Sequence, residues 1–206
     1  MKNLLLLLCF ILLGINALSS QHAVGVKAGP NLAYMDYEEN NSILLWHAGI
    51  FGHFQIGRDF FIQPELLYNV KGSDQDKIVI SPVTLKFQFE YLSMPFMFGY
   101  KLGDRFAIMA GPEMSKLVRS TIYFNERKSH EKFGIKDVDL AVNAGLAFNF
   151  TDRFGIDLRY SLGLVKAIDL YFTDINGQSL GGTDKRKNRV LQASLCYGFG
   201  LGAKEQ

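Results

Sequence analysis

From residue 23 to residue 199 apolar and polar positions alternate with a period of two, in eight separate stretches. Alternation at that period places one apolar and one polar face on an extended strand. The predicted strands are 23–33, 46–56, 60–71, 83–100, 106–117, 138–150, 154–164 and 188–199. The stretch 60–71 is the cleanest: Phe60, Ile62, Pro64, Leu66, Tyr68 and Val70 alternate with Phe61, Gln63, Glu65, Leu67, Asn69 and Lys71. In 83–100 the apolar parity changes at Tyr91-Leu92, which predicts a β-bulge or the end of the buried part.

Three tight connections share a phrase: Gly57-Arg58-Asp59-Phe60, Gly103-Asp104-Arg105-Phe106 and Thr151-Asp152-Arg153-Phe154. Each holds an Arg and an Asp and ends on Phe. The other four connections, 34–45, 72–82, 118–136 and 165–187, are long and polar. Short turns at one end and long ones at the other describe an up-and-down antiparallel sheet. Eight strands fit a closed barrel.

Periodicity leaves open which face points inward. A soluble exported barrel of the lipocalin kind has its apolar face inside; a membrane barrel has it outside. Three features favour the membrane. The second face is rich in Gly (25, 29, 49, 111, 145, 155, 163 and 198), Ser and Asn, which suits a narrow lumen. The apolar face is nearly free of charge over the length a tilted strand needs to cross a bilayer. Aromatic residues gather at strand ends: Phe60, Tyr100, Phe106, Phe150, Phe154 and Phe199 near the tight turns, and Tyr34, Trp46, Tyr68 and Tyr91 near the long connections. Closure also supplies every backbone group with a partner, as lipid requires.

Residues 1–20 read as a secretory signal peptide: Lys2, an apolar run over 4–13, then small residues before cleavage at Ser20 or Gln21. Gly14 and Asn16 interrupt the run too early for a membrane helix. Residues 21–206 form one barrel domain. The net charge is +2, and +1 without Lys2, which leaves no basic surplus for nucleic acid. Removing Cys9 with the leader leaves Cys196, so no internal disulfide and no cysteine zinc site can form.

Several phrases resemble the PorT-like outer-membrane β-barrel family of Bacteroidota. They are Val24-Gly25-Val26-Lys27-Ala28-Gly29-Pro30-Asn31-Leu32, Gln63-Pro64-Glu65-Leu66-Leu67-Tyr68 with Lys71-Gly72, Met94-Pro95, Ala110-Gly111-Pro112-Glu113, Tyr160-Ser161-Leu162-Gly163-Leu164 and Asn188-Arg189-Val190-Leu191. The resemblance runs through the mature chain. It implies a bacterial outer-membrane location and allows a link to protein secretion. One departure is the tail of seven residues after Phe199, where such barrels usually end on an aromatic residue.

Parity places Lys27, Glu65, Lys71, Glu113, Asp157 and Arg159 on the polar face. They are the candidate site residues, read as an ion-pair network filling the lumen or as the lining of a narrow solute path. No catalytic, cofactor or metal site is expected. There is no G-x-S-x-G, no H-E-x-x-H and no Cys/His cluster. Ser161, His53 and Asp157 can be drawn as a triad, as any barrel allows. His47 shares the parity of His53, and His130 falls in a long connection. The acidic residues Asp36, Glu38, Glu39, Asp169, Asp174 and Asp184 match no calcium-loop spacing. The expected partners are the lipid bilayer and envelope proteins reached through the long connections, where Tyr123, Phe124, Tyr171 and Phe172 lie. Three functions remain: a non-enzymatic structural or surface-interaction protein, a narrow porin-like channel, and a small outer-membrane enzyme.

Overall fold

A computed structural model describes residues 23–35, 41–75, 85–124, 127–129, 135–167 and 187–200. The predicted leader, His130, the acidic residues of the first and last long connections, Tyr171, Phe172 and the tail beyond residue 200 lie outside the described residues. The strands are β1 (Ala23–Met35), β2 (Ile43–Ile56), β3 (Phe60–Gln75), β4 (Leu85–Lys101), β5 (Phe106–Phe124), β6 (Arg127–Ser129), β7 (Val138–Asn149), β8 (Phe154–Gly163) and β9 (Asn188–Gly200). Every pairing is antiparallel. The order is β4-β3-β2-β1-β9-β8-β7-β5, and β4 pairs with β5 to close the ring. Eight strands therefore make the barrel. The short β6 folds back on the end of β5 alone.

The repeated phrase does the same work at each turn. The residue before its phenylalanine gives its carbonyl to the next hairpin. Lys101 N–H donates to Asp59 O at 2.8 Å, Asn149 N–H to Arg105 O at 2.9 Å, and Gly198 N–H to Arg153 O at 2.8 Å. Local sequence thus ties each turn to its neighbour and keeps the ladder running around the rim. Gly57 and Gly103 carry φ of 69° and 93°, a region costly to any residue with a Cβ. Gly103→Val should lower stability by about 1–3 kcal/mol, read from urea unfolding in lipid vesicles. An unchanged midpoint would show that the turn re-forms without the left-handed residue.

The faces divide cleanly over the lower part of the wall. Outward positions from Leu92 to Tyr100 on β4, Phe60 to Tyr68 on β3 and Phe154 to Leu162 on β8 are all uncharged. Large half-exposed side chains cover the outer face around the ring, among them Phe60, Phe98, Phe106, Leu146, Leu158 and Leu195. At about 3.3 Å per residue and a tilt of about 40°, the stretch 92–100 rises about 20 Å, most of the apolar band of a membrane barrel. Near the tight turns, aromatic pairs form a dense ring: Phe60–Tyr100 at 4.9 Å, Phe106–Phe148 at 4.6 Å and Phe154–Tyr197 at 4.7 Å between centroids. At the other end Trp46 stacks on Tyr68 at 5.6 Å, and Tyr34 and Tyr160 share a hydrogen bond of 3.0 Å.

Above residue 92 the polarity inverts. On β4 the outward residues become Glu90, Gln88 and Lys86, while Tyr91, Phe89 and Phe87 point into the lumen. Tyr91 therefore leaves the predicted aromatic ring: it is fully buried. The backbone of β4 keeps its alternation. The register shift falls in its pairing with β5, where Tyr91 faces Leu117, Glu90 faces Arg119 and Val118 is extra. The outer side of the wall turns polar there, while an apolar cluster fills its inner side.

Candidate functional site

The candidate site is the lumen, filled in layers by inward side chains of all eight barrel strands. At the tight-turn end sits an apolar layer of Phe61, Met97, Ala107 and Met109, with Ala147 packed on it. Phe61 lies over Gly99, where a Cβ would come within 2.0 Å of its ring. His53 also packs on Phe61, with ring centroids 4.4 Å apart.

The next layer holds four charges. Arg159 forks onto Glu65, Nη1 to Oε2 at 2.9 Å and Nη2 to Oε1 at 2.8 Å. Its Nη2 also donates to Asp157 Oδ2 at 2.7 Å. Lys27 Nζ donates to Asp157 Oδ2 at 2.5 Å and to Glu65 Oε1 at 3.4 Å. Gln63 Nε2 donates to Glu65 Oε1 at 2.8 Å. Strands β3 and β8 stand four places apart in a ring of eight. The Arg159–Glu65 pair thus crosses the barrel as a diameter. Two cations face two anions, and all four side chains are at most 2% exposed. Such a group is tolerated in a low-dielectric lumen because its charges cancel and both terminal nitrogens of Arg159 and the Lys27 ammonium are paired with carboxylates.

Toward the long connections lies a second charged group. Lys71 Nζ donates to Glu113 Oε1 at 2.8 Å and to Asp139 Oδ2 at 3.0 Å, and it stands 5.3 Å from the Tyr91 ring centre. Asn143 Nδ2 donates to Glu113 Oε2 at 2.9 Å, and Asn188 Nδ2 to Asp139 Oδ2 at 3.0 Å. Beside it is a neutral group on β1, β2, β3 and β9. His47 reaches Asn31 Oδ1 at 2.7 Å through Nδ1 and Ser194 Oγ at 2.8 Å through Nε2. Asn31 Nδ2 donates to Asn69 Oδ1 at 2.8 Å, and Gln192 Nε2 to Asn31 Oδ1 at 3.1 Å. Met35, Phe87, Phe89, Tyr91, Leu117 and Ala167 form an apolar cluster above.

The six residues picked from parity thus divide between two groups. Lys27, Glu65, Asp157 and Arg159 meet in one; Lys71 and Glu113 meet in the other. Asp139 completes the second group and was not among the six. Parity places it inward, but it sits at the start of a strand, beside the long connection, where loop charges are usually solvated. The neutral group around Asn31 and His47 has no sequence signature, because its members come from four strands.

Neither histidine arrangement makes an accessible catalytic site. Ser161 and Asp157 are four residues apart on one strand, about 13 Å, too far for one imidazole to bridge. His53 contacts Gln63 at 3.4 Å as well as Phe61. The His47, Ser194 and Asn31 set has the order of a Ser–His–Asn relay. All three are buried, however, and Gln192 and Asn69 occupy the remaining polar positions around them. Among the described residues no group of His, Cys, Asp and Glu is placed to hold a metal ion.

A closed eight-stranded ring with a charge-free outer band and a polar lumen of buried side chains is the architecture of an outer-membrane protein, and a family model bears on it directly. The model for the outer membrane protein beta-barrel domain matches residues 17–169. The chain belongs to that family. Its place is the bacterial outer membrane, with the lipid bilayer against its outer face. Among solved structures, the chain is similar to Ail, the attachment invasion locus protein of Yersinia pestis. Identity is 12%, with 88% of this chain and 100% of that one covered and a TM-score of 0.49. It is also similar to Neisserial surface protein A, at 14% identity, with 87% and 98% covered and a TM-score of 0.46. No curated protein matches the chain.

Proposed function

We propose that this family member is a non-enzymatic, non-conducting barrel of the PorT-like type, made with a cleaved leader of residues 1–20. In this reading the charged lumen, including Lys27, Glu65, Lys71, Glu113, Asp157 and Arg159, is a structural plug. The specific work is done at the long-connection end, by contact with envelope proteins. Protein secretion is the process to which the PorT-like resemblance links it. The observation that carries the reading is burial: Arg159, Lys71 and Lys27, the three cations of the lumen groups, are 2%, 1% and 3% exposed. Side chains lining an open water path would show exposure on their lumen side.

A narrow channel is the second reading, favoured by the same charges, which would line a path once the apolar ends moved aside. Planar-bilayer recording separates the two. The refolded chain should give a silent bilayer across physiological voltages; stable stepwise openings would overturn the plug. Co-purification from the native envelope under mild detergent should bring down a discrete protein partner. Recovery of the barrel alone, from membranes in which it is intact, would count against the interaction role.

A further inference from the structure

The rim at the long-connection end is not uniform. On β1 and β2 its outward positions are Tyr34, Leu32, Trp46 and Leu44, with no charge. Among the described residues it is basic from β5 round to β9. Lys116 follows Met114 on the outward face of β5 and lies opposite Val138 and Leu92. Arg119, just past the extra residue Val118, has a side chain 63% exposed and only a loose 3.9 Å contact with Glu90. Lys136 is exposed, and its backbone N–H donates to Ala167 O at 3.0 Å, which brings Lys166 to the same level. Arg189 on β9 lies opposite Leu162 and donates to Gly163 O at 3.1 Å. Two acids share this sector among the described residues: Asp137, and Glu90, which is already bonded to the Tyr68 hydroxyl and Arg119.

We propose that this arc, from β5 to β9, is a binding surface for phosphate-bearing lipid headgroups in the leaflet at the long-connection end. The arc covers three strand-to-strand steps, about 15 Å. Directly beneath it are Leu92, Met114, Val138, Leu140, Leu162 and Leu191, all exposed on the outer face. A ligand held there meets cations at the height of a headgroup and an apolar wall at the height of its chains. That combination selects an anionic amphiphile over a free anion. The tight-turn rim offers no such contrast. Each of its phrases sets an Asp beside its Arg: Arg58 with Asp59, Asp104 with Arg105, and Asp152 with Arg153.

The test uses the full chain refolded in phosphatidylcholine nanodiscs containing a minor fraction of phosphatidic acid. Lipid retained after mild extraction is counted by native mass spectrometry. Lys116→Gln with Arg119→Gln should weaken phosphatidic acid retention by on the order of tenfold. Arg58→Gln with Arg105→Gln, at the opposite rim, should leave it unchanged. Equal retention by the first variant, or an equal loss in the second, overturns the proposal. Heat-dependent gel mobility checks that each variant is folded. Should the first variant not fold, the wild type decides: its retention must fall as salt rises, and salt-insensitive retention overturns the proposal. Inorganic phosphate at the same concentration should not displace the lipid. Full displacement would mean a simple anion site and would likewise overturn the lipid assignment.

Discussion

Arg159→Met should destabilise the barrel by about 3–5 kcal/mol, the cost of leaving a buried charge without its partner. The guanidinium holds both oxygens of Glu65 and one of Asp157. Without it, two buried carboxylates would share Lys27 alone. Apolar clusters lie on both sides of them, with Phe61 and Met97 toward the tight turns and Phe89 and Tyr91 toward the long connections. Adding Glu65→Gln to Arg159→Met should recover most of the loss, because Lys27 and Asp157 then remain as a neutral pair at 2.5 Å. The contact between Arg119 and Glu90 offers the contrast. It is long and its arginine is in water, so Arg119→Met should change stability by about 1 kcal/mol at most. Unfolding by urea in lipid vesicles, followed by the heat-dependent gel shift, measures all three. A loss below about 1 kcal/mol for Arg159→Met would mean that the four-charge layer is hydrated, and the plug reading would fall with it.

Leu158→Arg should cost about 2–4 kcal/mol in a bilayer. Leu158 lies midway along the outward run of β8 and is 49% exposed. On a soluble protein an exposed leucine can become arginine for about 0.5 kcal/mol or less. In the bilayer the same change places a cation near the midplane of the hydrocarbon, too far from either headgroup region for its chain to reach water easily. Leu102→Arg supplies the depth control. Leu102 is 54% exposed but belongs to a tight turn at the membrane edge, where the cost should drop to about 0–1 kcal/mol. Equal and small effects at both sites would place the outer face in water and support the soluble barrel instead.

Much of the architecture was legible in the chain because a strand in lipid has a strict local rule. One face must be apolar for the full crossing, and the turns must reverse the chain. Phe60 to Tyr68 obeys the first rule residue by residue, and the three Arg/Asp-Phe phrases mark the second. The candidate site was legible only by halves. Parity put Lys27, Glu65 and Arg159 on one face. It could not say that Glu65 and Arg159, 94 residues apart, meet across the lumen, because that depends on ring size and on the register of five strands. Tyr91 shows where a local reading fails. As an aromatic residue near a strand end it looked interfacial. Its true position follows from the height at which β4 leaves the membrane, where the apolar side of the wall changes over.

The sequence by itself thus determined the eight strands, the three tight turns and the uncharged outer band, since each depends on neighbours two residues apart. Only the tertiary structure decided which inward charges pair, that Asp139 completes the group around Lys71, and that the cations at the long-connection end form one arc. Those relations are made by strands brought side by side when the ring closes, and closure is a property of the whole chain.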